Sequence, residues 1–428
     1  MPELIEAIRQ AVRSGAVPGP DLRLALAQSE DLALLLAAGQ ALRELSDPAE
    51  QLTHRRVGIL SVCPPGDLEP LLRACLVGAG VWPELIVIPP QAFAPTLAAG
   101  GARLGADLLF CLLDENFFLP PAPEPAPAGY AHTRYDDTRY DDTRFEDTRY
   151  EDTHDDPTAD PTAPSALWPW LAERLAMLRT LLGTALRAGD AVVVLHTVPL
   201  PRALRDAVLG ARARAALTSL WHRLNASLLA LADDHPRVRV IDLVGLLAET
   251  PVAARADVGQ GADPAQGADP GQYSPGALLL LAQEVRRVVQ AGAGLSRQVL
   301  AIDLASPLWG DATGELRRTV ARLRDQGVRL LLVGGDVGGD VGGYASGDGD
   351  AVGPVRELPL PRLGAAERLR RAAGVLGLPL DAFVYLDDSD VERGAVAAEL
   401  PEVAVIEAGG PPDRLARLLL QHGWFDQQ

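Results

Sequence analysis

The sequence contains no lysine; all 39 of its basic residues are arginine. That absence removes every mechanism that runs through a lysine amine, Schiff-base chemistry and the phosphate-loop lysine among them. Genomic GC bias is the plain explanation for it. Cysteine is nearly lacking too. Cys63, Cys75 and Cys111 show no CxxC spacing, which points to reduced thiols in a cytoplasmic protein rather than a disulfide framework. No run of about 18 apolar residues is free of charge or proline, so neither a transmembrane span nor a membrane partner is expected. The opening stretch, MPELIEAIRQAVRSG, has the spacing of an amphipathic helix and not the pattern of a signal peptide. Positive charge is also in deficit. With 57 acidic residues the net charge is −18, which argues against a nucleic-acid partner, because phosphate backbones need a cationic face.

What is present is apolar and aliphatic. The 428 residues are 48% apolar but only 5% aromatic, enough chain for two or three domains and more suited to helix-rich α/β packing than to a β-sandwich. Residues 1–52 carry apolar residues at helical spacing and are expected to form a short helical segment. Strand candidates RRVGILSV, ELIVIPP, ADLLFCLLDE, DAVVVLHTVPLP and RVRVIDLVGLLAE follow, with helical stretches between them. After Ser296 the alternation restarts with QVLAIDL, VRLLLVGGD, AFVYLDD and VAVIEA. Strands alternating with helices imply doubly wound, mostly parallel sheets. The expected organisation is therefore a helical segment at 1–52, one α/β domain at 53–295 and a second at 296–428.

Two low-complexity stretches interrupt the first domain. From Thr133 the pentapeptide pattern TRYDD TRYDD TRFED TRYED THDDP repeats, inside a compositionally biased insertion at 120–165. Its dense charge and few aliphatic residues give it no face to bury, so it is expected to be a disordered surface loop, with a docking strip as the functional alternative. A Gly/Ala/Asp-rich linker is expected at 257–275.

The chemistry-bearing residues sit at strand ends of the second domain. Asp303 ends the first strand, Gly334 and Gly335 end the second, and Asp387 and Asp388 end a later one. Carboxylates at the carboxyl edge of a parallel sheet suit a hard cation such as Mg²⁺, beside which an aspartate can attack a phosphoryl group. Backbone amides at Gly334 and Gly335 would form an anion nest for phosphate. The plain alternative is that strand ends carry Asp as turn and helix-cap residues.

The order and context of these motifs, IDL followed by LWG and GE and later by YLDDSDVERGAVAAELPEV, resemble the FkbH-like branch of the haloacid dehalogenase (HAD) superfamily. The matching positions are Asp303, Leu304, Leu308, Trp309, Gly310, Gly314 and Glu315, then Leu386, Asp387, Asp388, Glu392, Arg393, Pro401, Glu402 and Val403. Upstream, RRVGILSVCPPGDLEPLLRACLVGAG is similar to that branch's SGNH-hydrolase-like amino-terminal half. The resemblance implies an SGNH-like domain followed by a HAD-like Rossmannoid domain. It implies a protein that takes a glyceryl unit from a three-carbon acyl phosphate and loads it onto an acyl carrier protein of a polyketide-type pathway. It also implies catalytic Asp303, Mg²⁺ held by Asp303, Asp387 and Asp388, and a cysteine relay, for which Cys63 after the first strand is the candidate, the plain alternative being a small buried apolar residue, as most free cysteines are. Cys75 and Cys111 fall inside a helix and a strand and are expected in the core. His196 ends a strand, where it either assists the thiol or caps the strand, and capping is the expectation.

The departures from the family fall on the chemistry. Ala305 stands where the second aspartate of the pair should act as general acid, a role worth roughly 10²–10⁴-fold. Ser306 and Pro307 replace the Asn-Thr pair, and Pro307 removes a backbone N–H. The Ser/Thr motif is replaced by VGGDVGGDVGG, whose Asp336 opposes phosphate. The lysine motif aligns near Ala365, with Arg362 or Arg368 as candidate substitutes. Three damaged motifs on a kept framework argue for a pseudoenzyme that retains a binding role. The alternatives are an active Mg²⁺-dependent acyltransferase or phosphatase working through Cys63, and a non-enzymatic scaffold.

Overall fold

The computed structural model describes residues 2–45, 52–119, 167–255, 272–302, 314–332, 356–357, 363–408 and 412–427. The repeat insertion and most of the expected linker lie outside these residues. The chain opens with helices α1 (Pro2–Arg13), α2 (Pro20–Ala27) and α3 (Leu32–Leu42). It continues through β1 (Thr53–Ser61), α4 (Leu68–Gly78), β2 (Val81–Ile88), α5 (Phe93–Ala98), β3 (Leu108–Leu112), α6 (Glu115–Phe118), α7 (Leu167–Ala188) and β4 (Val192–His196). Then come α8 (Arg202–Ala207), α9 (Ala211–Leu229), α10 (Leu231–Asp234), β5 (Val238–Ile241), α11 (Leu243–Glu249) and α12 (Pro275–Gly292). The last part holds β6 (Val299–Ile302), α13 (Gly314–Asp325), β7 (Arg329–Leu332), β8 (Arg356–Glu357), α14 (Ala365–Leu376), β9 (Phe383–Asp387), α15 (Asp390–Glu399), β10 (Ala404–Glu407) and α16 (Pro412–Gln421).

Two five-stranded sheets result, ordered β2-β1-β3-β4-β5 and β10-β9-β6-β7-β8, with every pairing parallel. The α/β architecture read from the alternating pattern is the one observed. Each sheet is buried on both faces, as parallel sheets require. Along β3, Leu108, Phe110 and Leu112 enter the core on one face, while Leu109, Cys111 and the following Leu113 enter the core on the other. In the second sheet Leu300 and Ile302 face one layer, Val299 and Ala301 the other. This period of two places apolar atoms on both sides, so the strands read as continuous apolar runs.

RVRVIDLVGLLAE departs from its expected single strand. Only Val238–Ile241 pairs in the sheet; Asp242 then accepts from the Gly245 N–H at 3.2 Å and starts α11. A short carboxylate at an N-cap satisfies a backbone donor that the strand could not, so the chain turns helical there. Helices α2 and α3 pack against α4, α1 packs on α3, and the three join the core of the first sheet, while Ala27 of α2 reaches the core of the second. Arg287 of α12 ties the two sheets together, donating to the Asp426 carboxylate at 2.5 and 3.1 Å.

Candidate functional site

Both sheets reverse strand order once, between β1 and β3 in the first and between β6 and β9 in the second. The carboxyl end of such a switch point is where open parallel sheets leave a crevice for ligands. Four of the residues singled out from sequence fall at these two ends: Cys63 follows β1, Asp387 and Asp388 end β9, and His196 ends β4, next to β3.

At the first edge Cys63 is buried, with 4% of its surface exposed, rather than presented to solvent. The turn that follows it uses Gly66 at φ +53°, a left-handed conformation that favours glycine, and it runs beside the Gln272 side chain. Ser61 folds back on the same turn: its hydroxyl accepts from the Cys63 N–H at 3.3 Å, donates to the Cys63 carbonyl, and lies 3.9 Å from the thiol. Burial, reinforced by the Asp114 carboxylate, pushes the thiol up to about 12. A thiol so placed carries little thiolate at neutral pH, and thiolate is the nucleophile. Cys75 and Cys111 are buried in the core, as their positions in helix and strand suggested.

His196 does not serve the thiol. Its Nε2 accepts from the Leu113 N–H at 3.1 Å and its Nδ1 lies 2.9 Å from the Thr197 carbonyl, so both nitrogens are engaged by backbone and the neutral Nδ1–H tautomer fits. Burial lowers this imidazole to about 4. Around these groups lies a polar cluster that sequence reasoning did not single out. Arg255 pairs with Glu115, its guanidinium carbon 4.0 Å from the centroid of the Tyr273 ring, and Tyr273 donates to the Leu113 carbonyl at 2.8 Å. Arg255 and Tyr273 also form an antiparallel bridge. Tyr273 is fully buried, so the expected linker ends in the core, with Ser274 capping α12 through the Ala277 N–H at 3.0 Å. No local pattern in PVAARAD marks Arg255; only the fold brings it to Glu115, 140 residues earlier.

At the second edge Asp303, Gly334 and Gly335 lie outside the described residues, as do Ala305, Ser306, Pro307, Asp336 and Arg362. Asp387 is fully buried and turned into the protein. It shares a face of β9 with Tyr385, whose hydroxyl donates to Oδ2, while the Ser389 N–H donates to Oδ1 at 2.9 Å. Asp388 points to the opposite side and is exposed. Of the three carboxylates expected to hold Mg²⁺, Asp303 lies outside the described residues, Asp387 has one hydrogen bond at each oxygen, and Asp388 is open to water. Among the described residues no three His, Cys, Asp or Glu side chains group as metal ligands.

The Glu-Arg pair downstream acts as a brace. Glu392 accepts from the Ala365 N–H at 2.9 Å, closing the start of α14, and Arg393 donates to the Asp387 carbonyl at 3.0 Å. Ala365, where the aligned lysine would stand, is fully buried beneath this contact. Arg368 lies nearly one turn further along α14. Ser389 caps α15, accepting from the Glu392 N–H at 3.3 Å. Replacing it with alanine is expected to cost about 1 kcal/mol in denaturant melts; an unchanged midpoint would show that the cap contributes nothing.

Among the described residues no helix is long and apolar enough to cross a membrane. No protein-family model matches the sequence, and no curated protein matches it. Among solved structures the chain is similar to the crystal structure of the N-terminal part of the protein BF1531 from Bacteroides fragilis, containing a phosphatase domain and complexed with Mg. The two share 14% identity and a TM-score of 0.59, over 99% of this chain and 98% of that one. At that identity the likeness establishes the fold alone: an α/β arrangement of two parallel sheets.

Proposed function

We propose that this protein is a non-catalytic FkbH-like relative of HAD phosphotransfer enzymes, keeping a binding role in a pathway that carries glyceryl or similar three-carbon units on an acyl carrier protein. The observation that carries the reading is the closure of Asp387 onto Tyr385 and Ser389 beside a buried Ala365. A phosphotransfer site needs a carboxylate free for metal and a cation to balance the phosphoryl charge. Here Asp387, one of the three candidate carboxylates, is committed to the protein, and Ala365 stands near the cation's expected place. The sequence supports the same conclusion through Ala305, which has no proton to give. The match to a chain containing a phosphatase domain complexed with Mg favours Mg²⁺ as the ion such a fold would take if Asp303 and Asp388 still recruit one. The first edge adds a second argument, since Cys63 is buried, its thiol is raised, and His196 is already engaged.

The test is intact-protein mass spectrometry after incubation with Mg²⁺ and a three-carbon acyl phosphate. No added mass is expected, while a carrier-loading FkbH-like protein treated in parallel gains one. A mass gain mapping to Cys63 would overturn the reading in favour of a working acyl relay. The binding half is tested by titrating the chain with a pathway acyl carrier protein, and absence of binding leaves only a scaffold.

A further inference from the structure

At the opposite, amino-terminal edge of both sheets lies a cavity of about 280 Å³. It is remote from the strand ends discussed above, since its walls are the beginnings of strands: Thr53 at the start of β1, Gly80 before β2, Gln298 before β6 and Ala382 before β9. Arg23 of α2, Gln290 of α12, Arg297 and Trp424 line it as well, together with the carboxylates Asp381 and Glu402 at its rim. Its volume falls below the range of about 300–1,000 Å³ usual for drug-sized ligands, so its occupant is small.

The polar atoms of this cavity do not satisfy one another. Gln290 and Trp424 are each only 3% exposed, yet Oε1 of the first and Nε1 of the second have no hydrogen-bond partner. The Gln290 amide is oriented by its other end, Nε2 donating to the Leu295 carbonyl at 3.3 Å, so a bare acceptor is left over. Nε of Arg23 is likewise buried and without a partner. Arg297 spends Nη1 on the Phe383 and Glu402 carbonyls at 3.1 and 2.8 Å, and its guanidinium carbon lies 5.4 Å from the Trp424 ring centroid. Neither arginine forms an ion pair among the described residues; Asp381, the carboxylate nearest to both, is exposed to water. Burial lowers both guanidinium groups, Arg297 to about 10, and the Asp381 carboxylate offsets only part of that effect at each. A buried polar group left unsatisfied costs about 1–3 kcal/mol, so three in one small cavity call for an occupant.

We propose that this cavity binds a small phosphate-type oxyanion that carries one proton. Its oxygens accept from the Arg23 and Trp424 N–H groups, the two guanidinium charges balance it, and its O–H donates to Gln290 Oε1. No covalent step is involved. Because α2, α12, the β9 lead-in and the residues after α16 meet there, the occupant bridges the two sheets.

The experiment is thermal unfolding of the full chain in inorganic phosphate against sulfate at equal ionic strength. Both ions are excluded from protein surfaces and stabilise generally, but sulfate has no proton at pH 7 to offer Gln290. Phosphate is expected to raise the midpoint about 2 °C above sulfate at concentrations well over the dissociation constant. Gln290→Leu is expected to erase the difference between the ions, and Arg23→Met the response to both beyond the general salt effect. Arg23→Met is preferred to a change at Arg297, which also holds two carbonyls of the fold. Equal responses of the parent protein to the two ions would mean the cavity holds only water. A full phosphate increment in Arg23→Met would place the ion elsewhere. Either result overturns the proposal.

Discussion

Replacing Arg255 with methionine is expected to remove about 3–5 kcal/mol of stability at pH 7. The side chains of Arg255 and Glu115 are 16% and 12% exposed, and each is the other's counter-charge. The methionine keeps most of the contact with the face of Tyr273 but leaves a buried carboxylate alone beside Asp114. Burial already raises Glu115 above an ordinary carboxylate, and only Arg255 and its own backbone contact pull it back. Without the arginine it rises further, so as the pH falls the folded variant takes up this proton before the unfolded chain does. A group raised in the folded state gains stability as the pH falls, and the deficit of Arg255→Met should therefore narrow between pH 7 and 5. Arg255→Met combined with Glu115→Gln should recover most of the loss at pH 7, because an absent pair costs far less than half of one. Denaturant melts of the parent, the single and the double variant at both pH values decide it. If single and double lose equally and neither depends on pH, the pair is not what holds this edge together.

The same edge shows where the sequence stops being informative. The period-two burial of LLFCL and FVYLD could be read directly, because strand geometry alone assigns alternate residues to opposite layers. The switch points followed from strand order, which the alternating pattern implies but does not specify. Position along β9 even explains why Asp387 is buried while Asp388 is exposed: Asp387 continues the inward row of Phe383 and Tyr385. Cys63 was a different matter, open between an exposed nucleophile and a buried apolar residue. Pro64, Pro65 and Gly66 have the composition of a surface turn, and Pro64 and Gly66 do stay exposed, yet Cys63 just before them is buried, beside Ser61 and Asp114. His196 was expected to cap its strand rather than assist the thiol. Its commitment to the Leu113 N–H depends on β4 lying beside β3, a neighbour more than 80 residues away. Non-local contacts of this sort leave no periodic signal. Glu392 and Arg393 were identifiable as a motif, yet their brace to Ala365 and Asp387 needed the two helices in place.

Acid should weaken this protein well before its carboxylates protonate. His196 and His422 are both lowered from 6.5 to about 4, in each case chiefly by burial, with a nearby arginine adding to the effect: Arg255 for His196 and Arg286 for His422. A folded-state value below the unfolded one means that the unfolded chain takes up the proton first. The stability held by each neutral ring is thus fully present above pH 6.5 and is lost as the pH falls towards 4. For His196, entirely buried, a displacement of that size corresponds to roughly 3 kcal/mol, and for the half-buried His422 to somewhat less. The geometry explains the sign at His196. A proton added at Nε2 would set one N–H against the Leu113 N–H that now donates to it, and Nδ1 is already used at Thr197. Phe110 and Tyr273 pack against the ring and offer the new charge no carboxylate. Gln in place of His196 can accept from Leu113 and cannot titrate, so His196→Gln should fall less steeply with acid even if it starts less stable. His422→Gln should remove a separate, smaller share, and the two together should leave the curve nearly flat from pH 6.5 to 5. The measurement is the denaturation midpoint at half-unit steps across that range. A His196→Gln curve parallel to the parent's would mean that His196 takes its proton inside the folded protein, and the closed, neutral histidine at the first switch point would have to be given up.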